Sequence, residues 1–306
     1  MMVTKNDLRL GTRGSLLART QSIWVAERIA TDRTIALKII KSEGDDLSIS
    51  LAKPSVPGAF VNALRSSLLA GEVDFIVHSF KDLPSAPHPE IEIAAVPERE
   101  DHRDVLITNN KVEFADLRAG MVVGSSSPRR ISAIKYLNSE LIVKSIRGNI
   151  DSRIRKIREG EYDATILAAA GLSRIALLHE ISQYFDLEMM LPAPAQGALA
   201  VECRKNDGQM LELLQSLDEP HTRITTTAER ALLRGLTAGC DLAVSAYATL
   251  EKNVITLNCE IADPQTGQRE RITLIGPSSD AEVLGLQAAL TLARSALGQK
   301  VLTSDN

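Results

Sequence analysis

The sequence predicts an α/β protein of two lobes with a cleft between them, followed by a small α+β domain, and three observations lead there. A strand, a polar turn and an amphipathic helix follow one another at residues 8–29, 122–137 and 141–158. Stretches around Pro97 and Pro194 suit crossovers between two such lobes. From about His221 the pattern changes to a helix, alternating strands and a last long helix, which reads as α+β. The expected division is lobe 1 at 1–97 and 198–217, lobe 2 at 98–197, and a C-terminal domain at 218–306.

Taken in order, Leu8 to Gly11 is a short strand, and Thr12-Arg13-Gly14-Ser15 leads into a helix whose apolar stripe is Leu16, Leu17, Ile23, Trp24 and Ile29. Ile35 to Ile40 is a second strand. The segment from Ser42 to Gly58, with Pro54 and Pro57, has no sustained period, and a loop of that length is commonly functional. Phe60, Leu64 and Leu68 recur at helical spacing. Val73 to Val77 is a strand that runs into His78-Ser79-Phe80-Lys81-Asp82-Leu83-Pro84, and the carboxyl ends of strands are where open α/β sheets hold their sites.

Val122 and Val123 end an apolar run, Gly124 turns, Ser127 stands at an N-cap and Pro128 at the first helical position, before Ile131, Ile134 and Leu137. Leu141 to Ile146 is the next apolar run, Arg147-Gly148 the turn and Asn149 the cap of a helix with the stripe Ile150, Ile154 and Ile157. Asp163 to Ala169 and Ala198 to Cys203 are further strands, with a helix entered through Gly171-Leu172-Ser173-Arg174 between them. The last part has a helix through Ile224, Ala228 and Leu232, strands at Val244–Leu250 and Asn253–Ile261, a turn at Asp263–Gly267, another strand, and a helix from Asp280 to Leu297.

Helix N-termini carry unpaired N–H groups and the positive end of the dipole, and this chain adds arginines there: Arg129 and Arg130 at one, Arg147 and Arg153 at the next. Between Ser125 and Arg158 there are nine Lys/Arg against two Asp/Glu, in a chain of net charge -4. Positive charge that is local in an acidic chain favours a small polyanion over a nucleic-acid surface. Helix phase separates the arginines: Arg155 and Lys156 fall opposite the isoleucine stripe and face solvent, whereas Arg153 lies beside it, and Arg130 leans over the sheet's edge.

The 306 residues exceed what one core commonly serves, and the 44% hydrophobic and 24% charged content is that of a globular protein. MMVTKNDLRLGTRGS has no apolar stretch fit for a signal peptide and no run reaches membrane-spanning length, so a cytoplasmic protein without a membrane partner is expected. Cys203, Cys240 and Cys259 follow neither a disulfide nor a zinc pattern, and no metal is expected. Cys203 and Cys259 lie in apolar strands; Cys240 sits on a glycine-flanked loop, Ala238-Gly239-Cys240-Asp241, where a thiol is accessible.

GTRGS, HSFKDLP, GSSSPRR, SIRGNIDSR, AAAGLSR, LPAPAQGA and AGC, in that order over nearly the whole chain, resemble the motifs of the porphobilinogen deaminase (hydroxymethylbilane synthase) family. The resemblance implies lobes like those of type II periplasmic binding proteins and a third domain whose loop cysteine, matched by Cys240, holds a dipyrromethane cofactor by a thioether. It implies a monomeric transferase of porphyrin and heme biosynthesis that deaminates porphobilinogen, joins four units head to tail onto the cofactor and releases hydroxymethylbilane by hydrolysis. Asp82 matches the catalytic aspartate. Arg13, Ser15, Lys53, Ser79, Lys81, Ser125, Ser126, Ser127, Arg129, Arg130, Arg147, Asn149, Arg153, Arg174 and Gln196 match cofactor- or substrate-binding positions, and Phe60 a phenylalanine that lies against the rings. Each pyrrole ring carries an acetate and a propionate, and clustered arginines with helix N-termini are what such a polyanion needs. Two departures stand out: Pro57 where many members have lysine, and Ala195 in place of a glycine beside Gln196.

Loss of ammonia from porphobilinogen and attack by the chain's last ring both put positive charge on a pyrrole nitrogen, which a fixed carboxylate such as Asp82 stabilises while shuttling protons. The alternative for Asp82 is a cap on the turn before Pro84. The alternative for the whole chain, a bilobal carboxylate-binding protein without chemistry, leaves Cys240 and the third domain idle. A nucleic-acid binder is opposed by the acidic balance and 3% aromatic content.

Overall fold

The computed structural model describes residues 7–29, 31–40, 59–236 and 242–303, apart from the side chains at 59 and 60. The chain divides into two compact units, Met1–Arg99 with Ala198–Arg223, and Glu100–Gly197 with Ile224–Asn306.

In the first unit, β1 (Leu8–Thr12) pairs in parallel with both β2 (Ile35–Ile39) and β3 (Phe75–Ser79). β10 (Leu199–Arg204), where the chain returns, runs antiparallel between β3 and β4 (Ile91–Ala95), giving the order β2-β1-β3-β10-β4. Alternate residues of these strands enter cores on opposite faces: Leu8, Leu10, Phe75 and Val201 pack with Val25 of α1 (Leu16–Ala26) and Leu214 of α6 (Gly208–Gln215), whereas Ile76 packs with Leu64 and Leu68 of α2 (Ala59–Leu69).

One expectation fails on α1. Its buried face is polar, Gln21 and Ser22 beside Val25, while Leu16 and Ile23 of the expected stripe are 50% and 39% exposed. The cause is tertiary: Ser22 Oγ donates to Thr12 Oγ1 at 2.8 Å and Gln21 Nε2 to Ser79 Oγ at 2.9 Å, so the helix is held to the strand ends by hydrogen bonds that periodicity does not encode.

The second unit repeats the sheet. β6 (Val122–Gly124) pairs in parallel with β7 (Ile142–Lys144) and β8 (Ala164–Ala168), and β5 (Asp104–Thr108) runs antiparallel between β8 and β9 (Gln183–Tyr184), in the order β7-β6-β8-β5-β9. Both sheets thus have three parallel strands followed by two joined antiparallel, the same lobe built twice. α3 (Pro128–Leu137) buries Ile134, and α4 (Ile150–Arg158) buries Ile154 and Ile157 as its stripe requires. The short α5 (Ala169–Arg174) starts directly from β8 and ends at Arg174, where the sequence reading has a helix begin.

In the same unit an antiparallel meander of β11 (Ala243–Glu251), β12 (Val254–Ala262) and β13 (Arg269–Pro277) packs Leu257, Cys259 and Ile261 against Leu232 of α7 (Pro220–Gly235) and Leu284 and Leu292 of α8 (Ala281–Arg294). The expected helix from Asp280 to Leu297 is broken: Ser295 is extended (ψ 158°), its Oγ accepts from the Gly298 amide at 3.0 Å, and a separate α9 (Ala296–Thr303) follows. The Asp263–Gly267 turn is seated on α3. Lys135 Nζ donates to the Pro264 and Gln265 carbonyls at 2.8 and 2.9 Å, and Gly267 (φ +77°) comes so near that a Cβ would lie 2.8 Å from the Tyr136 nitrogen.

Candidate active site

Parallel pairing of β1 with β3 puts their carboxyl ends at one edge of the first sheet. Arg13 and Ser15 follow β1, and Ser15 caps α1 by accepting from the Ala18 amide at 3.4 Å. Ser79 ends β3, and Lys81 and Asp82 belong to the 3₁₀ turn Phe80–Asp82 just beyond. Asp82 is exposed, and among the described residues its carboxylate has no hydrogen bond or ion pair. The turn closes through its backbone, Leu83 N to Phe80 O at 3.3 Å, so Asp82 does not cap it. His78 faces away into the core, where Glu202 takes Arg65 (Nη2 to Oε1, 2.5 Å) and lies 3.3 Å from His78 Nε2. Lys53 and Cys240 lie outside the described residues, as does the Phe60 side chain on α2.

Parallel pairing of β6 with β7 and β8 does the same in the second unit. The serine turn and the 145–149 turn lie side by side: Ser125 N donates to Lys144 O at 2.9 Å, and Ser126 Oγ to Ile146 O at 2.9 Å. The starts of α3 and α4 therefore stand together. Pro128 is at the first helical position as expected, but the Ser127 side chain makes no cap. Asn149 does cap, accepting from Ser152 N at 3.0 Å, and Gly148 (φ +111°) makes the turn before it with the exposed Arg147.

The centre of this edge is a residue that sequence reading missed. Asp104, the first residue of β5, lies opposite Ala168 at the end of β8 and has no exposed surface. Arg129 Nη1 donates to its Oδ2 at 2.6 Å, Arg130 Nε and Nη2 to its Oδ1 at 3.1 and 2.7 Å, and Gln196 Nε2 to Oδ1 at 3.1 Å. Gln196 is itself fully buried and also bonds His102 O at 2.8 Å. An acid placed directly before the apolar run Val105–Ile107 is the one signal that pointed to a buried carboxylate.

Electrostatics sets this edge apart. Burial pushes the Asp104 carboxyl up, but the charges and hydrogen bonds of Arg129 and Arg130 outweigh it and hold the group well below the usual carboxylate range. Arg153 is lowered by burial and by the charge of Arg130; its Nε donates to Gly148 O at 2.9 Å, and among the described residues it has no carboxylate partner. Burial lowers Arg174 to about 10 against the opposing charge of Glu100, and its Nη2 donates to Gly197 O at 2.7 Å. Asp104 thus pairs with two guanidiniums, those of Arg129 and Arg130, and Arg153 lies near enough to Arg130 to feel its charge. A half-buried cation such as Arg153, bonded to the Gly148 carbonyl and without a carboxylate partner among the described residues, fits a ligand that brings carboxylates, as a dipyrromethane does. Arg155, by contrast, is 66% exposed at its side chain, as helix phase required.

Fold and site together define an α/β protein suited to a polycarboxylate, with an α+β domain joined to it. A family model described as porphobilinogen deaminase, dipyromethane cofactor binding domain, matches residues 8–212, and one described as porphobilinogen deaminase, C-terminal domain, matches residues 223–294. The porphobilinogen deaminase of Acidothermus cellulolyticus is 43% identical over 298 residues, covering 95% of this chain and 90% of that protein. That of Nocardia farcinica is 46% identical over 252 residues, covering 82% and 72%. Among solved structures, an ancestral cationic amino acid solute binding protein is similar at a TM-score of 0.44 and 13% identity, over 70% of this chain and 88% of that one. The chain belongs to the porphobilinogen deaminase family.

Proposed function

We infer that this chain deaminates porphobilinogen, joins four units head to tail on a dipyrromethane held by Cys240, and releases hydroxymethylbilane by hydrolysis. The observation that carries this reading is the cationic edge of the second unit, with Arg129 and Arg130 buried in it, inside a chain matched to the family over residues 8–212 and 223–294. When bound, the dipyrromethane supplies the pyrrole carbon onto which the product is built.

The chain's own residues do the rest. Arg130, Arg153 and Arg174, with Ser125, Ser126, Ser127, Arg129, Arg147, Asn149 and Gln196 around them, hold acetate and propionate groups at the paired helix starts, where dipole and guanidinium add. Arg13, Ser15, Ser79, Lys81 and Lys53 serve carboxylates on the first unit, and Phe60 offers a ring face. Asp82 stabilises positive charge at the pyrrole nitrogen as ammonia leaves, then takes the proton lost from the attacking ring carbon once the new bond has formed. Its carboxylate, exposed and without a partner among the described residues, supports that role over the turn cap.

The boundaries 1–97 with 198–217, 98–197 and 218–306 are our division of the chain, supported by separate apolar cores on either side of each sheet and in the meander. We place the protein in the cytoplasm as a monomer, with no nucleic-acid or membrane partner. Free thiols at Cys203 and Cys259 suit a reducing compartment, and no described helix is long and apolar enough to cross a membrane.

The test is an intact mass of protein expressed where porphobilinogen is available. An addition of one dipyrromethane is expected, lost in Cys240→Ser and kept in Cys203→Ser and Cys259→Ser. Those two thiols are buried, and burial pushes Cys203 up to about 12 and Cys259 higher, which keeps them from acting as nucleophiles. An unmodified wild-type mass overturns the reading.

A further inference from the structure

We propose that Asp104 is a positioning residue: its carboxylate fixes where the guanidinium groups of Arg129 and Arg130 stand before a ligand arrives. The proposal rests on the functional reading above and deepens it. Asp104 takes donors from two sources at once, the first turn of α3 and the Gln196 side chain, while β5 holds its own backbone in the sheet. Each arginine has a second anchor that fixes its direction, Arg129 Nη1 to Leu191 O at 2.8 Å and Arg130 Nη1 to Ile166 O at 2.9 Å. The two guanidiniums are therefore set by bonds of known direction rather than free to turn to water.

The need for an anion follows from the charges. Arg129 and Arg130 are adjacent in sequence and both buried, and Arg153 stands near enough to Arg130 to feel its charge. Like charges in a medium that screens poorly separate unless an anion lies among them. The Asp104 carboxylate holds Arg129 and Arg130 together at the start of α3. An amide keeps the shape but neither the charge nor the second acceptor oxygen.

Asp104→Asn separates positioning from mere charge balance, because the two predict opposite signs. Removing a negative charge raises the positive potential, so a simple counterweight, once lost, leaves anion binding tighter. Loss of a positioner lets the arginines move and weakens binding. The holoprotein is expressed with porphobilinogen supplied, its folding followed by urea unfolding, its cofactor-bearing fraction by intact mass, and its KM and kcat by hydroxymethylbilane release. Wild type without adduct or turnover would fail the functional reading itself. With wild type active, folded Asp104→Asn is expected to load cofactor poorly or to raise KM by about 10-fold, with kcat of the loaded fraction within about 3-fold, the pattern of lost uniform binding. Asp104→Glu, which keeps the charge but moves it by one methylene, should fall between the two. Wild-type or tighter binding in folded Asp104→Asn overturns the proposal. If Asp104→Asn does not fold, Asp104→Glu decides by the same KM measurement, wild-type behaviour counting against. If neither folds, Asp104 is a folding determinant only and the proposal is wrong.

Discussion

The Ala195 amide donates to Glu229 Oε2 at 2.6 Å while Ala195 itself holds a left-handed φ of 61°. The sequence marked Ala195 as a departure from glycine, and the backbone shows why glycine suits the position: a Cβ there costs about 1–2 kcal/mol. Glu229 secures the turn. Its other oxygen, Oε1, accepts from the Ala248 amide on β11 at 2.9 Å, so one fully buried carboxylate joins the segment before Gln196 to the meander.

Glu229→Ala leaves two buried amides without their acceptor, at about 1–3 kcal/mol each, and is expected to destabilise by several kcal/mol in urea unfolding. Ala195→Gly should change little. Relief of the left-handed strain is offset by a lost buried methyl, about 0.8 kcal/mol, and by the freer unfolded chain, about 0.4–1 kcal/mol. A large loss on Ala195→Gly would show that the methyl packs better than the strain costs.

Arg153 and Arg155, two residues apart on α4, should behave oppositely. Arg155 pairs with Glu159 only at 4.0 Å and is mostly exposed, so Arg155→Ala should alter stability by no more than about 0.5 kcal/mol and leave turnover unchanged. Arg153 is a half-buried cation with no carboxylate partner among the described residues. Its removal should leave the ligand-free protein no less stable, yet cut cofactor loading or chain extension by the equivalent of about 2–5 kcal/mol. Equal effects on activity at the two positions would show that Arg153 does not meet the ligand.

Local chemistry was the legible part of this protein. Pro128 opening α3, Asn149 capping α4 and the buried Ile154 and Ile157 follow from rules that act within one turn. The buried face of α1 did not, because Gln21 and Ser22 are held by Ser79 and Thr12, one of them 58 residues away. Asp104 was missed for the same reason. Next to Arg103 it reads as one more charge on a rim, and only the antiparallel return of β5 brings it beneath arginines 25 and 26 residues away. The break at Ser295 escaped notice since Ala293, Ala296 and Leu297 continue a helical pattern that the serine's capping bond interrupts.

Glu202 makes the acid limb of stability testable. Burial raises its carboxyl, but the close His78 and Arg65 side chains, the latter through two hydrogen bonds, outweigh this and bring it from 4.5 down to about 2. A carboxyl lowered by folding contributes fully above its unfolded value and loses that contribution as pH falls through the folded one. Wild type should therefore lose on the order of 3 kcal/mol from this group between about pH 4.5 and 2, with Asp104 adding a loss in the same direction. Glu202→Gln should be less stable than wild type at pH 7, and the gap should narrow by more than half as pH falls to 3. A constant gap from pH 7 to 3 in urea unfolding would mean that Glu202 stays charged or never gains from its partners.

Asp82 separates binding from chemistry. Its carboxylate is exposed, makes no bond to a described residue and takes no part in closing the turn, so Asp82→Asn should leave the melting temperature unchanged. Asparagine keeps the size and a carbonyl acceptor but carries no negative charge and does not accept and return a proton at neutral pH. If the carboxylate acts on positive charge that forms only as ammonia leaves, turnover should fall about 100- to 1000-fold while substrate binding changes little. The measurement uses protein shown by intact mass to carry its cofactor, so that slow assembly is not mistaken for slow catalysis. Enzyme–substrate intermediates, counted by mass, should accumulate no further than the first additions. Near-normal hydroxymethylbilane release from loaded Asp82→Asn would assign the catalytic carboxylate to another residue.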